Sequence, residues 1–183
     1  MTKMMRSAVL AGALLLIPNF AQAAGDNKKP QVQQLSKLED EIRHELVMMP
    51  WYGVFDQISF KVDGRHVELM GAVTRPTLRS DAERLVKRIE GVESVTNNIE
   101  VLPLSPMDDR IRIAVARQIY GYNSPLFRYG IGPNAPIRIL VKNGNVTLTG
   151  VVGSEFDRNV ANVRANQVPG VFSVKNNIQV ARS

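Results

Sequence analysis

GVESVTNNIEV, residues 91–101, returns as GVFSVKNNIQV, residues 170–180, 79 positions later. The phrase holds no nucleophile, metal-ligand set or phosphate loop, so its recurrence speaks of architecture. At the same offset, residues 65–102 and 144–181 share 14 identities in 38 positions. Val67/Val146, Leu69/Leu148, Gly71/Gly150, Gly91/Gly170 and Val101/Val180 are among them. Chance gives far fewer, so the chain carries a duplication. Upstream the offset falls to about 73, pairing Leu38, Ile42 and Leu46 with Ile111, Val115 and Ile119. The second copy thus has about six extra residues between its first helix and first strand.

Each copy reads as α-β-β-α-β. Leu35, Leu38, Ile42 and Leu46 recur at helical spacing, and Pro50 ends that helix. Its counterpart is expected to start at Asp108 or Asp109, acids that suit a helix N-terminus. Ile58, Phe60 and Val62 alternate with polar residues, as do Val67, Leu69 and Val73. Asp63-Gly64 between those runs predicts a hairpin, repeated as Asn143-Gly144 in the second copy. Leu78, Ala82, Leu85, Val86 and Ile89 form one helical face. Gly91 and Gly170 are expected as left-handed helix C-terminal residues. The repeated phrase is the last strand, with Val95, Ile99 and Val101 inward. Alternation also turns Asn97 inward, which calls for a bulge or for side-chain hydrogen bonds to nearby backbone. The fold class is α+β: two tandem αββαβ units, each a small three-stranded mixed sheet covered on one face by two helices.

The N-terminus reads as an export signal over residues 1–23. Lys3 and Arg6 precede a ten-residue apolar run, Ala8 to Ile17, and Ala21-Gln22-Ala23 supplies a small-x-small cleavage pattern. That run is shorter than the roughly 20 residues a membrane-spanning helix needs, and nothing later approaches that length. A polar tail (24–34), a first unit (35–102), a short Pro-containing linker (103–107) and a second unit (108–181) follow. The expected location is the periplasm, with no transmembrane segment after signal cleavage. The chain contains no cysteine, which rules out disulfides, thiol catalysis and a lipid-modified N-terminal cysteine.

The ordered set resembles the BON domain. It comprises a helix, alternating apolar residues, V-x-(D/N)-G, V-x-L-x-G-x-V, a helix with a central Ala, and G-V-x-x-V-x-N-x-I-x-V. The resemblance covers about 35–102 and 108–181. It implies an αββαβ fold, a non-enzymatic role at the cell envelope linked to osmotic stress or outer-membrane integrity, and affinity for phospholipid membranes. Lacking a lipid-modifiable cysteine, this chain is expected to be soluble or peripherally attached.

Catalytic candidates are sparse: no catalytic residue, metal ligand or cofactor is expected, and nucleic acid is not an expected partner. His44 and His66 are the only histidines, and the second copy has an equivalent of neither. Asp108 and Asp109 are adjacent, so on a helix their side chains point apart. Gly150-Val151-Val152-Gly153 matches an RNA-binding GxxG loop but falls at a strand end. Gly71, Gly91, Gly150 and Gly170 are structural candidates.

Charge separates the copies. Residues 35–103 hold 9 basic and 12 acidic side chains, whereas 104–183 hold 10 and 4. The second copy is therefore the expected contact for anionic membrane phospholipid. The candidate lipid-binding residues are Arg110, Arg112, Arg117, Tyr122, Phe127, Arg128 and Tyr129, on a basic helix and the Gly- and Pro-rich insert 121–136. The alternative is that Leu126 and Phe127 plug the core and the arginines are a solvated face. In the first copy, Trp51 and Phe55 are expected as core or inter-domain contacts, since domains this small bury only about 60% of their surface. The other partner considered is an envelope protein, met as an adaptor or chaperone through exposed sheet edges or the Trp51 region.

Overall fold

The computed structural model describes residues 28–132 and 134–181, so the signal peptide expected over 1–23 and the start of the tail lie outside the described residues. The first copy contains α1 (Lys28–Val47), β1 (Gln57–Asp63), β2 (His66–Val73), α2 (Pro76–Val86) and β3 (Ser94–Val101). The second contains α3 (Pro106–Tyr120), β4 (Ile137–Lys142), β5 (Asn145–Val152), α4 (Glu155–Asn166) and β6 (Ser173–Val180). Leu35–Ser183 forms one compact unit, so both copies belong to a single body.

Each sheet is three-stranded and mixed. β1 pairs antiparallel with the central β2, and β2 pairs parallel with β3; β4, β5 and β6 repeat the arrangement. Alternation decides what is buried. Val67, Leu69 and Val73 of β2 and Ile99 of β3 meet Ile42 and Leu46 of α1 and Leu78, Ala82 and Val86 of α2. Ile111, Val115 and Ile119 of α3 and Ala161 and Ala165 of α4 close the second core over Ile139, Leu148 and Ile178. Each fully buried aliphatic side chain contributes about 1.5–3 kcal/mol.

The second hairpin turns where expected, and the first differs from the expectation by one residue. Asp63 pairs with His66, so the first loop is Gly64-Arg65, whereas Lys142 pairs with Asn145 across Asn143-Gly144. Only Gly64 has positive φ in the first (+60°), while Asn143 (+50°) and Gly144 (+75°) both do in the second. Gly-Arg thus suits a II′ turn and Asn-Gly a I′ turn. Gly91 and Gly170 have positive φ, +98° and +89°, but do not cap helices. They sit third in the turns Ile89–Val92 and Val168–Val171, closed by Val92 N to Ile89 O and Val171 N to Val168 O at 3.2 Å. Positive φ at that position is the type II requirement.

α3 starts two residues earlier than Asp108. Ser105 caps it, its hydroxyl accepting from Asp108 N at 3.2 Å, and Pro106 fills the first turn. Asp108 is buried, and its carboxylate accepts from Asn143 N (2.9 Å) and Gly144 N (2.8 Å), tying the second hairpin to the helix start. β3 runs in unbroken register through Asn97, so there is no bulge. The amide is satisfied instead: its Oδ1 accepts from Ile99 N (3.1 Å) and its Nδ2 donates to Arg79 O (2.9 Å). Asn176 repeats this with Ile178 N and Arg158 O.

The segment between α1 and β1 joins the copies. Val54 O accepts from Ile139 N of β4 at 2.8 Å, and Gly53 O accepts from Arg138 Nη1 at 2.8 Å. Val54 and Phe55 pack against the second core. Asp56 holds the segment: buried, it accepts from Gly53 N (3.0 Å), Thr74 N (2.7 Å) and Thr74 Oγ1 (2.8 Å). Phe55 is therefore the inter-copy contact that was expected. Trp51 is not: it is 75% exposed, at φ +68°, with the Arg75 guanidinium 5.0 Å from its ring centroid.

Candidate functional site

α3 divides the candidate arginines. Ile111, Val115 and Ile119 define its core stripe, and Arg110 and Arg117, seven residues apart, lie on the opposite face. Both are exposed, and among the described residues neither forms an ion pair. Two apolar side chains share that face: Met107, 59% exposed, and Ile113, 46% exposed. The result is a cationic and apolar stripe along one helix.

Arg112 does not belong to it. One residue past Ile111, it falls on the margin of the core stripe and is only 4% exposed. Its Nη1 donates to Asp109 Oδ1 and its Nη2 donates to Val141 O at 2.7 Å. Its Nε is buried without a partner among the described residues. A guanidinium so held cannot reach a membrane, and Arg112 leaves the candidate set. Its spacing from Val115 and Ile119 is the sequence signal that marks it as inward.

The insert is folded onto its own copy. Ser124 and Leu126 are buried, Leu126 completely, and a single 3-10 turn covers Phe127–Gly130. Arg128 Nη2 reaches both carboxylate oxygens of Asp157 at 2.6 Å, and Tyr129 Oη donates to Asp157 Oδ2 at 2.9 Å. Ser154, the cap of α4, adds a third donor at 2.8 Å, and Tyr129 Oη itself accepts from Gly153 N at 2.8 Å. Burial pushes the Asp157 carboxyl up, but the hydrogen bonds from Ser154, Tyr129 and Arg128 outweigh it and hold the group below the usual carboxylate range. Arg128 and Tyr129 thus act first as ties between the insert and α4.

Tyr122 and Phe127 remain at the surface. Tyr122 is 86% exposed and Phe127 36%, with ring centroids 5.4 Å apart in an edge-to-face pair. Leu126 proves to be the plug of the core, while Phe127 stays outside it at the surface. Beside Tyr120 and Gly121, at the C-terminal end of α3, a hollow of about 310 Å³ is lined by Phe55, Ile113, Ala116 and Arg117. The second copy thus exposes cations, apolar side chains and rings, which suits adsorption to an anionic, amphiphilic surface.

The first copy offers less chemistry. His44 is exposed, and His66 is tied to Ser94 Oγ (2.8 Å) and Thr96 Oγ1 (3.3 Å) on the outer sheet face. Among the described residues no group of three or more His, Asp or Glu is placed to hold a metal ion, and no helix is long and apolar enough to cross a membrane.

The chain is 29% identical over 132 residues to osmotically-inducible protein Y of Escherichia coli (strain K12), covering 67% of this chain and 61% of that protein. It therefore spans less than two thirds of that relative's length. Among solved structures, CdsD, a structural protein of the type III secretion system of Chlamydia trachomatis, matches with a TM-score of 0.32 and 15% identity, over 80% of this chain and 93% of that one. The C-terminal domain of CdsD gives a TM-score of 0.31 and 15% identity over 79% and 98%. Family comparison matches the BON domain to residues 34–103 and again to residues 127–182, more than half of the chain. With two such matches on two αββαβ units, the chain belongs to the BON domain family.

Proposed function

We propose that the protein serves the cell envelope, and that its second copy docks peripherally on anionic phospholipid. The observation that carries this reading is the outer face of α3, where Arg110 and Arg117 alternate with Met107 and Ile113. Tyr122 and Phe127 continue it into the headgroup region, where amphipathic rings settle. The second copy's excess of basic residues supplies long-range attraction that the acidic first copy lacks. A periplasmic location follows from the export signal expected over residues 1–23. A role in osmotic stress is supported by the relative named for its osmotic induction.

Co-sedimentation with vesicles of phosphatidylcholine, with and without phosphatidylglycerol, tests the proposal. Each surface cation contributes about 1 kcal/mol, so Arg110→Glu with Arg117→Glu should weaken binding to the anionic vesicles by about thirty-fold or more. Both residues are exposed, so the fold should survive. Pelleting that ignores lipid charge, or that survives the double reversal, refutes the reading.

A further inference from the structure

The two copies protect their edge strands differently. β4 and β1 each form one edge of a sheet. On β4 the outward backbone groups belong to Ile137, Ile139 and Val141; on β1 they belong to Ile58, Phe60 and Val62. Groups from elsewhere in the chain meet the β4 edge at Ile137, Ile139 and Val141. Ile137 N donates to Tyr120 Oη (3.0 Å), which donates back to Ile137 O (2.5 Å). Ile139 N donates to Val54 O, and Val141 O accepts from the buried Arg112.

On β1, among the described residues, only the first of these devices is present: Ile58 N donates to Tyr52 Oη at 3.1 Å. Glu39 stands at the position equivalent to Arg112 and has no proton to donate to a carbonyl. Among the described residues nothing hydrogen-bonds the outward groups of Phe60 or Val62. Beside them lies a hollow of about 440 Å³ between α1 and β1, lined by Glu39, Arg43, Leu46, Tyr52, Phe60 and Val62. The Tyr52 ring that walls it also has the Arg138 guanidinium of the second copy 4.8 Å from its centroid.

We infer that the open end of the β1 edge pairs with β1 of a second copy of this chain, antiparallel across a twofold axis at Val62, so that Lys61, Val62 and Asp63 of the two protomers lie opposite one another. The charges choose this partner and register. A lone lysine on an edge strand ordinarily guards against pairing. Here Lys61 is followed two residues later by Asp63, so a twofold at Val62 sets Lys61 opposite the partner's Asp63 and Asp63 opposite the partner's Lys61. An axis at Lys61 would oppose like charges, and one at Phe60 would set Lys61 against the partner's Ser59. The hollow carries both Glu39 and Arg43, so it meets its own copy without net repulsion. The hollow beside β1 shares no lining residue with the hollow beside α3, so this surface is distinct from the one that binds lipid in the preceding proposal.

Sedimentation equilibrium of the purified chain from micromolar to millimolar concentration, without lipid, tests the inference. The expected result is a concentration-dependent dimer, with amide exchange at Val62 slowing as the dimer forms while Ile139 stays unchanged. Lys61→Glu should weaken dimerisation by about tenfold, the effect of reversing two cross-strand pairs, and Lys61→Glu with Asp63→Lys should restore it. A monomer at every concentration overturns the inference, as does a dimer indifferent to Lys61→Glu. A chain that stays monomeric but takes up an unrelated extended peptide along β1 also overturns it.

Discussion

Replacing Asp157 with Asn isolates the node that ties the insert to α4. The carboxylate is 1% exposed and accepts from Arg128, Tyr129 and Ser154 at 2.6–2.9 Å. An amide of the same shape keeps one acceptor oxygen and turns the other into a donor, which faces donors already in place. Hydrogen bonds to a charged group contribute about 1.5–3 kcal/mol each, and the Arg128 share is smaller because that side chain is 58% exposed. A loss of about 3 kcal/mol results. Should the second copy unfold by itself, that lowers its Tm by about 12–24 °C; should both copies unfold together, by about half as much. Calorimetry at several pH values separates this cause from simple misfit. The Asp157 carboxyl is held below its unfolded value of about 3.9, so its stabilisation is complete above that value and fades as pH falls through the folded one. The gap between parent and variant should therefore be wide at neutral pH and close in acid. A gap that is negligible at neutral pH, or that persists unchanged in acid, refutes the reasoning.

Two other substitutions probe the scaffold. Gly150 has φ +123°, and a Cβ there would lie 1.9 Å from Pro136 O, so Gly150→Ala should cost at least about 2 kcal/mol, read as a shifted urea midpoint. The equivalent Gly71 is as tightly confined, a Cβ meeting Gln57 O at 2.1 Å, and should respond alike. Phe55→Ala removes a ring from the side of α3 and should lower stability by about 1–3 kcal/mol; faster exchange of the Ile139 amide would show that the loss loosens the junction between the copies. A Phe55→Ala chain with unchanged exchange at Ile139 would mean that Val54 holds that edge without the ring.

The sequence by itself determined the repeat, the order of elements and the inward faces, because hydrophobic alternation and helical spacing are local properties of the chain. Leu69 and Leu148 had to face inward on their strands whatever surrounded them. The same locality sets a limit: a dipeptide such as Asp63-Gly64 cannot show which two residues form the loop until the strands pair in register. It also explains Arg112, which shares a composition with Arg110 and Arg117 and differs from them only in angle around α3. Tertiary structure decided the rest. Arg128 could be counted from the sequence as a free cation, but the fold places Asp157, 29 residues later, directly against it. Whether an edge strand is met or open depends on groups from Tyr120, Val54 and Arg112 arriving at β4, and, among the described residues, on nothing equivalent reaching Phe60 and Val62. Hydrogen bonds require distance and direction, and only the folded chain supplies those between residues far apart in sequence.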